Sequence, residues 1–306
     1  MTIDIAPEVE RALEGRGALV ALESTLICHG IPRPRNASLA LEIEEAVRAT
    51  GAQPATIAIL DGRARIGVSR SELTRLAEME QVAKCSTRDL AWPIASGEPG
   101  ATTVAATIFL ARQAGIDVMA TGGLGGVHRQ GESTMDVSAD LEELARTRAV
   151  VVCSGIKSIL DADRTLERLE TLGVPVVGYR CAELPSFYTA ESGIKIRHVD
   201  SIDLLCGLIK AHGQLRVPGG MVVVQPPPQE YAMPKDAVDR LVADARVAAG
   251  RAGVRGPAET PFLLRQMAQD SGGATIELNC ALALANAQLA GRLAVALAKD
   301  RVSAED

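Results

Sequence analysis

The feature that most restricts the fold of this chain is the regular exchange of short apolar runs for helical stretches between residues 18 and 180. Residues 18–22, 55–60, 118–120, 150–153 and 175–178 are apolar runs bounded by turn-forming residues. Runs of this kind suit strands that are covered on both faces. Between them lie helical patterns. One covers 37–50, with Asn36 as its N-cap and Gly51 closing it; another starts at Ser69. A Gly/Thr-rich turn over 97–103 feeds a helix over 104–114, and further helices run through Leu144 and onward from Ser158. Such alternation builds a mostly parallel sheet with helices on both sides, so the expected class is α/β, a three-layer α/β/α sandwich. Residues 183–235 read as less regular, apart from a strand over 219–224. The last third reads as helical over 235–250, around 262–269 and over 276–299. No repeat or linker divides the chain, so a single domain spanning 1–306 is expected.

Composition narrows the function classes. Aromatic residues are 2% of the chain against 47% hydrophobic residues, so the core must be built from Val, Leu, Ile and Ala. A net charge of −6 argues against nucleic acid as a partner, because that role calls for a basic face. A phosphorylated ligand would then need local cations set against the global field. The six cysteines, Cys28, Cys85, Cys153, Cys181, Cys206 and Cys280, show no CxxC spacing. They read as reduced core thiols of a cytoplasmic protein rather than a disulfide frame or zinc site. The acidic start lacks the apolar core of a signal peptide, and no run reaches membrane-spanning length without a polar break.

The chemistry concentrates at expected strand ends, where open α/β sheets hold their ligands. Lys157 follows the run 150–153 and the break Ser154-Gly155. A lysine with its stem near the core loses its proton more readily, and a neutral amine attacks carbonyl carbon. From position alone it reads first as a solvated lysine opening a helix. Glu23 follows the run 18–22 and suits general acid–base work, or a structural ion pair. Thr102 and Thr103 precede a helix, where hydroxyls and free N–H groups suit phosphate or simply cap the helix. Lys84 supplies a cation near a short strand. The loop Gly122-Gly123-Leu124-Gly125-Gly126 is either an anion cradle or a tight turn, with His128 beside it. Asp136 and Asp140 have a spacing that can hold a hard divalent cation or favour a helix N-terminus. No Walker loop, GxSxG elbow, HExxH or GxGxxG motif occurs.

Longer stretches are more specific. Ala-Leu-Glu-Ser-Thr at 21–25 with His29-Gly30, Gly-Ala-Thr-Thr-Val-Ala at 100–105 and Ala-Thr-Gly-Gly-Leu-Gly-Gly-Val-His-Arg at 120–129 stand in the first half. Asp-Val-Ser-Ala-Asp-Leu at 136–141, Ser-Gly-Ile-Lys-Ser-Ile-Leu-Asp at 154–161 and Thr-Pro-Phe-Leu-Leu at 260–264 follow, with Asn279 and Asn286 near the end. On these stretches the chain strongly resembles the pseudouridine-5′-phosphate glycosidase family over roughly 18–296.

The resemblance implies reversible cleavage of the C–C glycosidic bond of pseudouridine 5′-phosphate to uracil and ribose 5-phosphate through a lysine imine. It implies an α/β/α fold, a homotrimer and a divalent cation, usually Mn2+. By the same resemblance Lys157 is the imine-forming nucleophile, Glu23 the proton donor and Asp136 the metal ligand. Ser138, Ala139 and Asp140 match a substrate-binding run, and Lys84 and Val104 match further substrate contacts. Thr103, Thr121, His128 and Asn279 are nearby candidates for substrate binding. Two alternatives use the same groups: a Schiff-base sugar-phosphate aldolase, and a sugar-phosphate or nucleotide binding protein without turnover.

Overall fold

The computed structural model describes residues 3–129 and 131–302. In chain order its first half holds β1 (Ile3–Ile5), α1 (Pro7–Glu14), β2 (Leu19–Leu22), α2 (Arg35–Arg48), β3 (Gln53–Leu60), β4 (Arg63–Ile66), α3 (Arg70–Glu78), β5 (Ala83–Cys85), α4 (Ala91–Ser96), β6 (Gly100–Thr102), α5 (Val104–Gln113), β7 (Val118–Ala120), β8 (Val127–His128), α6 (Gly131–Thr134) and α7 (Ala139–Arg146). The second half holds β9 (Val150–Cys153), β10 (Leu160–Asp161), α8 (Ala162–Thr171), β11 (Val176–Tyr179), β12 (Arg197–Val199), α9 (Ile202–Gln214), β13 (Met221–Val224), α10 (Lys235–Ala252), α11 (Glu259–Asp270) and α12 (Ala274–Val302).

The main sheet runs β1-β4-β3-β2-β7-β9-β13-β11-β12, with β6 and β5 branching from β3. Its strands from β3 through β2, β7, β9, β13 and β11 to β12 are parallel. Only the pairs of β3 with β4 and with β6 are antiparallel in it. All four residues of β2, β9 and β13 are buried, as expected for strands covered on both faces. Helices α12, α2 and α9 pack as one group and α5, α7 and α8 as another, which completes the α/β/α sandwich.

Helix α12 lies against β2, β7 and β9. It is long and apolar enough to cross a membrane by length and composition alone. Yet Leu282, Ala287, Leu289 and Leu293 are buried against the sheet, and each buried leucine contributes roughly 1.5–3 kcal/mol of hydrophobic stabilisation. Protein rather than lipid covers this helix.

Several local expectations are corrected. Asn36 is not an N-cap: it lies inside α2, buried, and its amide donates to the carbonyls of Ile27 (3.0 Å) and Ala77 (2.8 Å). That amide bridges two tertiary carbonyls, while its Oδ1 accepts from the Ala37 N–H (2.9 Å) in the first turn of α2. The turn over 97–103 contains strand β6, because Gly100 admits Ile59 and Cys85 close to its backbone. Residues 183–235 hold β12 and α9, which the glycine-broken, mixed pattern of this stretch conceals. Ser69 does cap α3, through a reciprocal box with Glu72. All six cysteines are free thiols; burial pushes those of Cys28 and Cys153 up to about 12, which leaves them unreactive.

Candidate active site

Three neighbouring strands end side by side. Glu23 follows β2, Thr121 follows β7, and the turn after β9 leads to Lys157. This is the carboxyl edge of the parallel sheet, where side chains converge on a crevice. Glu23 is buried, and its two carboxylate oxygens accept hydrogen bonds from different hydroxyls, Oε1 from Thr121 and Oε2 from Thr25. The carboxylate is therefore held in one orientation.

Lys157 sits in a turn, not at the start of a helix. Helix α8 begins only at Ala162, capped by Asp161, whose side chain accepts from the Arg164 N–H (3.0 Å). Leu160 and Asp161 pair instead with β8, which takes up the residues a longer helix would need. Two backbone bonds splice this turn to the glycine loop: Leu124 N–H to the Gly155 carbonyl (2.9 Å) and Lys157 N–H to the Leu124 carbonyl (3.1 Å). Gly155 adopts φ +82°, a conformation that only glycine takes up without strain. A methyl group on Gly123 would lie 3.3 Å from Lys157 Cγ and 2.8 Å from Phe187 Cε2. Glycine at 123 thus lets the lysine stem and the Phe187 ring close around the loop.

Part of the glycine loop is committed to the fold. Its N–H groups at Leu124, Gly125, Val127 and His128 are all spent on protein acceptors. Asn286 on α12 anchors its start, donating to the carbonyls of Thr121 (2.9 Å) and Gly122 (3.2 Å). Phe187, with a positive φ of 61° and the ring against the loop, is a wall residue that sequence reasoning missed. It lies in an irregular stretch with no periodicity to flag it. Strain at a bulky residue persists only where surrounding structure enforces it.

Gly122, Gly123, Lys157 and Phe187 line one cavity together with Glu23. Glu23, Lys84, Lys157 and Asn279 are its polar wall; Leu26, Phe187 and Pro261 are apolar. A mostly apolar cavity with a few convergent polar groups is the usual form of a small-molecule site. Lys84, although exposed as a residue, has its amine withdrawn into this space. Burial and the charge of Lys157 lower its pKa, while Asp140, Glu23 and Asp136 pull it upward. Val104 is buried in the core, so it can meet a ligand only through its backbone at the N-terminus of α5. Thr103 caps α5, accepting from the Ala106 N–H (3.4 Å). Thr102 is not at this surface. It is buried, donating to the Ile57 carbonyl (2.8 Å) and accepting from Thr107 (2.9 Å).

Ser138 caps α7, accepting from the Asp140 N–H (3.2 Å), and Ala139 begins that helix, exposed. Asp140 is buried, and its carboxylate accepts from Ala105 N–H (2.9 Å) and Gly125 N–H (3.1 Å). It braces α5, α7 and the glycine loop. The spacing of Asp136 and Asp140 therefore does not make a cation pair. Asp136 faces His128 instead, Oδ2 to Nε2 3.8 Å, and Glu259 Oε1 lies 3.8 Å from His128 Nδ1. One donor atom from each of the three lies within 4.8 Å of the others, and His128 Nδ1 is buried without a hydrogen-bond partner among the described residues. Nitrogen and oxygen donors in this number suit Mn2+ or a similar divalent ion, so the residues fit such a group. Glu259 was not legible from sequence, since it lies 123 residues from Asp136.

Comparison with known proteins places this site in a family. A family model described as indigoidine synthase A like protein matches residues 8–296. A pseudouridine-5′-phosphate glycosidase of Herpetosiphon aurantiacus is 48% identical over 294 residues, covering 96% of this chain and 97% of that protein. One from Staphylococcus aureus is 46% identical over 298 residues, 97% of each chain. The chain belongs to the pseudouridine-5′-phosphate glycosidase family. Solved structures of this family's fold agree. The prealnumycin C-glycosynthase in complex with ribulose 5-phosphate superposes with a TM-score of 0.91 at 37% identity, covering 99% of both chains. An indigoidine synthase A-like protein from Thermotoga maritima gives 0.89 at 37% identity, covering 97% of both.

Proposed function

We propose that this enzyme reversibly cleaves the C1′–C5 bond of pseudouridine 5′-phosphate, giving uracil and ribose 5-phosphate. The observation that carries this reading is the convergence of Glu23 and Lys157 on one cavity with Lys84 beside them. Identity of 46–48% along nearly the whole chain to proteins named for the reaction supports the substrate. A pentose-phosphate ligand in the structural neighbour supports the ligand class.

The leaving group is carbon, so two carboxylates alone, as in ordinary glycosidases, do not suffice. In this reading Glu23 gives a proton to O4′ as the Lys157 amine bonds to C1′ and the C1′–O4′ bond breaks. The Glu23 carboxylate then takes a proton from the new ammonium centre. Next the C1′–C5 bond breaks. The lysine nitrogen lone pair forms C1′=N, the bonding pair passes to C5, and C5 takes up the proton held by Glu23. Water hydrolyses the protonated imine, releasing ribose 5-phosphate and the free amine, and the remaining proton returns to the Glu23 carboxylate. Covalent catalysis divides one difficult cleavage into easier steps. Thr25 and Thr121 keep Glu23 in place for each of these proton transfers.

Phosphate binding falls to Lys84 and to the α5 and α7 N-termini around Thr103, Val104, Ser138 and Ala139. Asp136, with His128 and Glu259, would hold a divalent cation, which would supply positive charge for an anionic ligand. The same reading takes the chain as one domain, working as a cytoplasmic homotrimer. Incubation with pseudouridine 5′-phosphate and Mn2+, with and without chelator, tests it by chromatography of uracil. Borohydride in the presence of ribose 5-phosphate should attach the pentose to Lys157. No uracil and no adduct from folded, metal-loaded protein would overturn the reading. An adduct without uracil release would favour the aldolase, and binding without an adduct the non-catalytic protein.

A further inference from the structure

The cavity lining includes two buried acceptors without donors among the described residues. His29 lines the cavity from the π-helical turn Leu26–Gly30, and its Nε2 is buried with no hydrogen-bond partner among the described residues. The Val82 backbone carbonyl lies beside the ring and favours the proton on the other ring nitrogen. A neutral imidazole that donates through Nδ1 presents a lone pair at Nε2. Burial and the neighbouring charge of Lys84 keep the ring neutral by lowering its pKa. Across the same cavity Asn279 on α12 is buried, and its Oδ1 is likewise unpartnered. An unmet buried acceptor is destabilising, so two of them in one cavity call for a ligand with two donors.

A pyrimidine-dione joined to its sugar through carbon has two: N1–H and N3–H are both free. The N-linked isomer, uridine 5′-phosphate, has lost N1–H to the glycosidic bond. We infer that His29 accepts a hydrogen bond from one ring N–H of the base and Asn279 from the other, so that this pair selects a C-linked base over an N-linked one. The inference rests on the proposed reaction and adds the residues that read the base. His29 is then a specificity residue, with no part in the bond that breaks. Leu26 and Phe187 line the same cavity and supply apolar surface for the ring.

The reverse reaction tests this directly. Ribose 5-phosphate is condensed with uracil, 1-methyluracil or 3-methyluracil, each methyl group removing one donor. The wild type should use uracil at least ten-fold better than either analogue by kcat/KM. His29→Ala should lose about ten- to a hundred-fold with uracil, chiefly in KM. In that variant the penalty for one methyl analogue should vanish while the other persists. His29→Gln, which keeps an acceptor oxygen, should recover part of the loss. A merely structural role would lower the unfolding midpoint but leave both methyl penalties in place. If folded His29→Ala keeps uracil kcat/KM within two-fold, or keeps both penalties, the inference is overturned while the reaction stands. If the wild type makes no product from uracil, both fall together.

Discussion

Thr121 donates its hydroxyl to the Glu23 carboxylate across 98 residues of chain. The bond joins the first residues beyond two adjacent parallel strands, β2 and β7, so sheet register sets its length. It converts a flexible glutamate into a group with one orientation. Proton transfer needs heavy atoms at hydrogen-bond distance, and small misplacement costs rate steeply.

Thr121→Val removes that donor with little change of volume. We expect kcat to fall about ten- to a hundred-fold, with KM nearly unchanged, because the bond orients a reacting group and does not hold the substrate. Steady-state kinetics on pseudouridine 5′-phosphate measure the split. A change confined to KM would argue against this role.

Gly123→Ala places a methyl group against the Phe187 ring and the Lys157 stem. Overpacking of this kind costs about 1–3 kcal/mol. The unfolding midpoint should fall, and activity should fall further than stability accounts for, since the nucleophile itself is displaced. Thermal melts and borohydride adduct yield, read on the same preparation, check both halves.

Asp136→Asn and Glu259→Gln should each weaken Mn2+ binding at least ten-fold by titration calorimetry in the absence of substrate. Both positions contribute one oxygen to the cluster with His128. Unchanged affinity in Glu259→Gln would leave that residue outside the metal site.

Acid should destabilise the fold before carboxylates titrate. Burial lowers the pKa of His29 and His212 below 6.5, with Lys84 and Arg148 adding to the effect at each. Below 6.5 the unfolded chain therefore binds protons that the folded chain refuses. Stability is complete above 6.5 and is lost as pH falls below it. The unfolding midpoint should be lower at about pH 5.5 than at about pH 7.5, and the difference should shrink in the His29→Asn, His212→Asn double variant. Equal slopes in variant and wild type would assign the acid sensitivity to other groups.

The sequence by itself determined the layers and the chemistry at the strand ends. Strands β7 and β9 were legible residue for residue, because burial on both faces demands unbroken apolar runs. Glu23, Thr121 and Lys157 were legible as polar residues placed just beyond such runs. Helix α9 was not, since two glycines and a histidine interrupt its pattern. Only the tertiary structure decided which residues meet. It brought His29, Phe187, Pro261 and Asn279 to one cavity from four separate segments and gave Asp136 the partner Glu259 in place of Asp140. It also turned Asp140 and Asn286 into braces of the loops around Lys157. The reason is physical: a residue pattern records whether its own segment is buried, whereas convergence depends on strand order and register, which follow from packing across the whole sheet.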